Sequence, residues 1–323
     1  MDAVFRSTIG CDVFVTSGKA HSYAERHPSA ITDRQFILTG THRSTASDTP
    51  EASFSSGGGG RVWIAEGTCV ILDADGSSTL ASREDNLTLG REMSSRALRI
   101  MIDHAWSSQG SFFLHAAAYR VFDSGILVLA PQAAGKSILS AAALAAGGAL
   151  VSDDWLALGC PSRHDSVGQH PCRPVAERMR TFFSWRPSEA TKVLILDHLG
   201  LEPTSAPTDG RLIVRVDPTK DCYPQVTEIN QIWVLCPATN DERCARTNTE
   251  STSPANVLQA LIGGSLQSMW RYDFPQLTQN LMRTAQTLIN TTSHMSIKTG
   301  TDLIHSPADT MRKLVEACQG GGI

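Results

Sequence analysis

Residues 111–154 read SFFLHAAAYRVFDSGILVLAPQAAGKSILSAAALAAGGALVSDD. The apolar and aromatic run up to Val121 predicts a strand, Asp123-Ser124-Gly125 a tight turn, and Gly125–Ala130 a buried strand. A short loop of small residues follows. Ile138–Ala146 has the composition of a helix, and Gly147-Gly148 is a C-terminal stop. Ala149–Asp154 is then a second apolar strand that ends on two adjacent carboxylates. The expected fold class is α/β, because a strand–helix–strand unit brings its two strands back parallel.

The loop Ala130-Pro131-Gln132-Ala133-Ala134-Gly135-Lys136-Ser137 fits GxxxxGK[ST] except at its first position, where Ala130 replaces Gly. In such a P-loop, successive backbone N–H groups form a concave anion site at a helix N-terminus. Gln132, Ala133, Ala134, Gly135, Lys136, Ser137 and Ile138 are thus the candidate nucleotide-binding residues. Lys136 would reach the β- and γ-phosphates of ATP, and the Ser137 hydroxyl would ligate Mg²⁺. Ala130 is compatible with this loop if its φ stays negative. The bland alternative is a strand-to-helix turn with a solvated lysine.

Parallel strands end on one side of a sheet, so Asp153 and Asp154 should finish beside the loop. Neighbouring strand residues point to opposite faces. One carboxylate can then face the γ-phosphate and an acceptor hydroxyl while the other approaches the metal, for which Ser137 and Asp154 are the ligand candidates. The alternative is a Ser-Asp-Asp turn with solvated carboxylates. A hairpin folded at Asp123-Ser124-Gly125 sets His115 opposite residues near 133, where it could contact phosphate or orient a carboxylate. Otherwise His115 is a satisfied core histidine.

At 323 residues the chain can bury a full core and is expected to divide into two lobes. A formal net charge of −4 gives no electrostatic reason to expect nucleic acid or an anionic membrane. No apolar run approaches the roughly 20 residues that cross a bilayer. The 8 cysteines form no CxxC pair, which fits a reduced, cytoplasmic protein. Cys160, His164, His170 and Cys172 carry zinc-ligand chemistry, but their spacing matches no common finger; a polar loop with incidental thiols is the other reading.

Residues 1–90 are expected to form a β-rich lobe, with strands within 9–39 and 61–73. Thr41–Gly60, almost without large apolar side chains, should be a mobile loop. Met93, Ala97, Ile100, Met101 and Ala105 sit at helical spacing, predicting an amphipathic helix over 91–106. Further strands are expected at Trp155–Gly159, 211–216 and 229–236. The last third should be helical: Phe274, Leu277, Leu281, Ala285 and Leu288 mark one helix face, and Ser306-Pro307-Ala308-Asp309 starts another helix.

FLHAAAYRV and LVLAPQAAGKSILSAAALAAGGALVSDDWLAL resemble the catalytic domain of HPr kinase/phosphorylase and its smaller relatives, and HPCRPVAERMR, TDGRLIVRV and TEINQIWVLCP resemble its later strands. The resemblance covers about residues 90–318, most strongly 111–158. It implies a phosphoenolpyruvate-carboxykinase-like P-loop core, with 91–323 as the catalytic domain. Size, N-terminal lobe and helical tail look most like the kinases that accompany lasso-peptide biosynthesis. That implies Mg-ATP-dependent phosphorylation of a peptide serine, in first place the C-terminal serine of a lasso-peptide precursor.

Carried over by position, Lys136 and Ser137 would hold nucleotide and Mg²⁺, one of Asp153 and Asp154 would take the serine proton, and His115 would sit in the active site. The family pattern has Gly at the position of Ala130, and a hydroxyl or acidic residue at that of Ile138. No equivalent of an HPr-docking segment is visible, so HPr is not the expected substrate. A basic residue should stabilise the transition-state charge. Arg178, Arg180 and Arg211 are candidates, Arg211 after the Asp209-Gly210 turn being slightly favoured, although for each taken alone a surface arginine is the commoner reading. A small-molecule kinase, or a nucleotide sensor that transfers nothing, are the competing readings; a homo-oligomer is left open.

Overall fold

In the computed structural model the described residues are strands β1–β7 below, 111–131, 134–159, 173–178, 182–185, 212–215, 222–224, 226–236, 246–264, 275–320 and a few isolated positions. The chain divides into two compact units. One comprises Met1–Phe112 with Gly159–His164 and Ser268–Thr284; the other comprises Phe113–Leu158 with Asp165–Gln267 and Ala285–Ile323.

In the first unit β1 (Ala3–Phe5), β2 (Val13–Thr16), β3 (Phe36–Gly40), β4 (Ser53–Phe54), β5 (Gly60–Ala65), β6 (Thr68–Leu72) and β7 (Ser78–Ser82) form one sheet. Its order is β1-β2-β3-β7-β6-β5-β4. The 41–60 stretch, expected as a loop throughout, therefore contains a short strand: Ser53 and Phe54 pair with Arg61 and Gly60. The helix expected over 91–106 falls outside the described residues except at His104.

The second unit is built on a mixed six-stranded sheet. Its members are β9 (Ala117–Val121), β10 (Ser124–Leu129), β11 (Ala149–Ser152), β18 (Gln231–Leu235), β19 (Asn248–Ser251) and β20 (Ser293–Lys298), in the order β11-β9-β10-β18-β20-β19. Strand β9 turns into β10 through Phe122 (φ 47°) and Asp123 (φ 63°), the left-handed pair that matches hairpin twist. Strands β10, β18 and β20 are mutually parallel. Strand β11 runs antiparallel to β9, and hence in the same direction as β10, with β9 between them. The expected strand–helix–strand unit is thus present with one strand inserted.

Helix α1 (Lys136–Ala145) joins β10 to β11. The remaining helices are α2 (Pro254–Gly264), α3 (Pro275–Thr291), α4 (Asp302–His305) and α5 (Pro307–Gly320). Strand β10 is buried at every position, because helices cover both its faces. Ile126 and Val128 pack with Leu139, Ala142, Ala143, Trp233, Met311 and Leu314 in the main core under α1, α4 and α5. Leu127 and Leu129 point to the other face, and α2 lies against β10 and β18 with Val257 and Leu261 buried. Tyr119 and Trp233 meet edge to face, 6.0 Å between centroids.

Two smaller sheets complete the unit. One orders β17 (Val226–Glu228), β13 (Val175–Arg178), β12 (Trp155–Gly159) and β8 (Phe112–His115); the other orders β14 (Phe182–Trp185), β16 (Leu212–Arg215) and β15 (Thr204–Ser205). The last third of the chain is not purely helical. Strand β20 lies inside the main sheet between β18 and β19. Its sequence, SHMSIK, hides this: only Met295 and Ile297 are buried, so period-two alternation is brief and polar residues dominate. No helix among the described residues is long and apolar enough to cross a membrane.

Candidate functional site

The loop after β10 enters α1 through Gly135, at φ 103° and ψ 10°, a left-handed conformation that strains any residue with a Cβ. No side chain caps the helix. The Ile138 N–H donates to the Gly135 carbonyl at 3.0 Å; the amides before it in the first turn have no intrahelical acceptor, so this end presents donors and the positive pole of the helix dipole. The Ala134 N–H donates to the Pro131 carbonyl, 3.3 Å, folding the loop back before Gly135. Among described non-glycine residues only Phe122 and Asp123 have positive φ, so Ala130 meets the condition for standing where Gly is usual.

Lys136 is the first residue of α1 and only 8% exposed. Burial lowers its pKa from the usual 10.5 to about 8, against the opposing pull of Asp154 and Asp153. Its Nζ lies 3.0 Å from His115 Nε2, and His115 Nε2 lies 2.7 Å from Asp154 Oδ1. One ring nitrogen therefore faces an ammonium donor and a carboxylate acceptor. It can accept from Lys136 or donate to Asp154, but not both in one tautomer. The His115 ring rests on Trp155, centroids 5.3 Å apart.

Two elements hold this cluster. Strand β8 ends at His115 and is laid beside β12, and the β11–β12 connection carries the aspartates. In that connection Ser152 Oγ donates to the Trp155 carbonyl at 2.7 Å, and the Asp154 N–H donates to Ser152 Oγ at 3.4 Å. Asp153 is nearly buried at 4% exposure, whereas the side chains of Asp154 and His115 are each 23% exposed.

His115 reaches the loop by a different route from the expected hairpin. The register Val128↔Ala117, stepped back by two, would set His115 against Ala130 rather than 133. The turn is the residue pair Phe122-Asp123, one position earlier than expected, and the chain leaves the β9 ladder at Ala116. Strand β8 instead joins the sheet of β12, and this delivers the imidazole to Lys136 and Asp154.

Ser137 and Ile138 occupy the second and third positions of α1, both half-buried. Gln132, Ala133, Arg180 and Arg211 fall outside the described residues, as do Cys160, His164, His170 and Cys172. Arg178 donates to the Tyr223 and Pro224 carbonyls, at 2.7 and 3.4 Å. Burial lowers its pKa, and these contacts make it a brace for that turn. Among the described residues no group of three or more His, Cys, Asp or Glu side chains is arranged to hold a metal ion. The Ser137 hydroxyl and the two carboxylates are nonetheless hard oxygen donors of the type Mg²⁺ prefers, alongside water and phosphate oxygens.

One neighbour of the loop carried no signal in the sequence. A methyl placed on Gly135 would lie 3.4 Å from Thr299 Oγ1 and 3.7 Å from its Cγ2. The turn after β20 thus stands against the Ala130–Ser137 loop, far away in the chain.

No family model matches the chain, and no curated protein does. Among solved structures, the Hpr(Ser) kinase/phosphatase from Coxiella burnetii is similar over 64% of this chain and 95% of its own, at 16% identity and a TM-score of 0.29. The functional reading therefore rests on the site itself.

Proposed function

We propose that the chain is a Mg-ATP-dependent kinase that transfers the γ-phosphoryl group to a serine hydroxyl of a peptide or protein. The observation that carries this reading is the contact of Lys136, at the mouth of an uncapped helix, with a histidine that also holds a carboxylate. Amides, dipole and ammonium together attract a polyphosphate; the carboxylate half-open beside them can accept a proton from an incoming hydroxyl.

Lys136 donates to the β- and γ-phosphate oxygens once it leaves His115. His115 Nε2–H is then free to donate to Asp154 Oδ1 and orient that carboxylate. Asp154, exposed enough to meet an acceptor, takes the serine proton as the hydroxyl oxygen bonds to phosphorus and the bond to the ADP oxygen breaks. With Asp154 held by His115, Asp153 in place of Asp154 would join Ser137 in holding Mg²⁺, which would supply positive charge against that developing on the phosphate oxygens. The acceptor class follows from the sequence resemblance, which favours the C-terminal serine of a lasso-peptide precursor; a cytoplasmic setting is favoured by the scattered cysteines.

Incubating a precursor peptide ending in serine with the protein and Mg-ATP, followed by mass spectrometry, should show one added phosphate on that serine. Asp154→Asn should lower transfer roughly 10²–10⁴-fold, the range for removing a general base, with ATP affinity nearly unchanged. Undiminished transfer by that variant would sink the assignment of Asp154.

A further inference from the structure

The inference rests on the phosphate-loop reading and extends it to the other end of the nucleotide. We propose that the turn Thr299-Gly300-Thr301, with Arg246 beside it, forms the subsite for the nucleoside end of the bound triphosphate. In the main sheet β10, β18 and β20 are parallel, so the loop after β10 and the turn after β20 lie along one edge, the ligand-binding edge of such a sheet. Asp154, which follows β11 and is bound to His115, sits on the β11 side of β10, away from β20 in the strand order. A triphosphate whose γ-phosphate meets Lys136 and Asp154 must send its nucleoside away from them, across β18 toward β20. Thr299 lies on that side, near enough to Gly135 that a methyl placed there would stand 3.4 Å from its Oγ1.

The turn is preorganised. Asp302 Oδ1 accepts from the Thr247 N–H at 2.9 Å, from Thr247 Oγ1 at 2.6 Å and from the Leu303 N–H at 3.0 Å. Thr247 Oγ1 in turn accepts from the Gly300 N–H at 3.0 Å. Gly300 lies flat against the 246–247 backbone: a Cβ there would stand 2.3 Å from the Arg246 carbonyl carbon and 2.5 Å from the Thr247 nitrogen. Thr299 and Gly300 are half-exposed, and Arg246 and Thr301 are exposed. A rigid rim that offers hydroxyls and a guanidinium suits a ribose and a base, and needs little ordering on binding.

The test compares Mg-ATP with Mg-tripolyphosphate, which carries the same phosphate chain and no nucleoside, by calorimetry on the full chain. Wild type should bind ATP more tightly than tripolyphosphate. Arg246→Ala and Thr299→Val should each weaken ATP by roughly fivefold, the scale of one lost hydrogen bond, and leave tripolyphosphate within twofold. Far-ultraviolet circular dichroism and Tm confirm that each variant is folded; the exposed Arg246 site keeps the test valid if Thr299→Val is unstable. Equal losses for both ligands would show that the turn only shapes the phosphate loop, and would overturn the subsite. Equal wild-type affinity for the two ligands would overturn it as well. Wild type that binds neither would instead overturn the phosphate-loop reading, and the subsite with it.

Discussion

At its C-terminal end α1 closes on itself. Gly147, at φ 79°, donates its N–H to the Leu144 carbonyl, and the Gly148 N–H donates to the Ala143 carbonyl, both at 2.9 Å. This paired pattern satisfies the last carbonyls of the helix. At its N-terminal end Gly135 is also left-handed, yet no side chain caps the amides, and the first helical residue is a buried lysine. The same device, a left-handed glycine, thus seals one end of the helix and opens the other. A fold selected for stability alone would place a capping Ser, Thr or Asp at the N-terminus and keep an ammonium out of the interior. On the proposed function, the open end is the one that takes the nucleotide.

The sharpest way to break this comparison is Lys136→Met, which keeps length and loses charge. Transfer should fall roughly 10²–10³-fold, the scale for removing one preorganised donor to developing charge. Stability should move the other way. Lowering the lysine pKa from 10.5 to about 8 by burial represents roughly 3 kcal/mol against the charged form at neutral pH. That figure is already net of the attraction to the two aspartates, and losing this attraction holds the variant's gain in denaturant unfolding to about 1–3 kcal/mol. A variant that loses both activity and stability would mean that Lys136 is an ordinary structural lysine.

The sealed end makes the complementary case. Gly148→Ala would put a methyl 2.7 Å from the Ala143 carbonyl oxygen and 2.8 Å from that of Arg120, both backbone atoms that cannot rotate aside. Unfolding free energy should fall by roughly 3 kcal/mol, the upper end for overpacking. ATP affinity at 10 °C, where the variant remains folded, should be within twofold of wild type. A tenfold loss of affinity would mean that the two ends of α1 are not independent.

What was legible in the sequence was local. The loop at Ala130–Ser137, the helix and the Asp153-Asp154 pair lie within one strand–helix–strand unit, whose handedness and strand direction follow general rules. His115 illustrates a weaker kind of legibility. Its proximity to the loop was expected from a hairpin register off by three, because the strand's break at Ala116 and its transfer to the sheet of β12 depend on distant partners. Nothing local marks β20, or the clasp in which Thr247 bonds across 55 positions to Asp302. Threonine, glycine and aspartate there read as an ordinary turn, since their meaning comes only from the chain that folds onto them.

The smallest effect is the pH dependence of ATP affinity. In the free protein Lys136 is an ammonium below about 8 and neutral above it. A bound polyphosphate favours the charged form, so the pKa of Lys136 must be higher in the complex. Between those two values binding takes up a proton. Affinity should therefore be greatest at neutral pH and fall by up to about tenfold per pH unit above pH 8. The phosphate's own ionisation, near pH 6, lies outside this window. Calorimetry from pH 7 to 9.5, in buffers of differing ionisation heat, reads both the slope and the proton uptake. The folding equilibrium supplies an independent check with the opposite sign. Between about 8 and 10.5 the unfolded chain binds more protons at this lysine than the folded one does, so stability gains from Lys136 as pH rises. Lys136→Met should flatten both dependences, and a slope that survives in the variant would move the titration to another group.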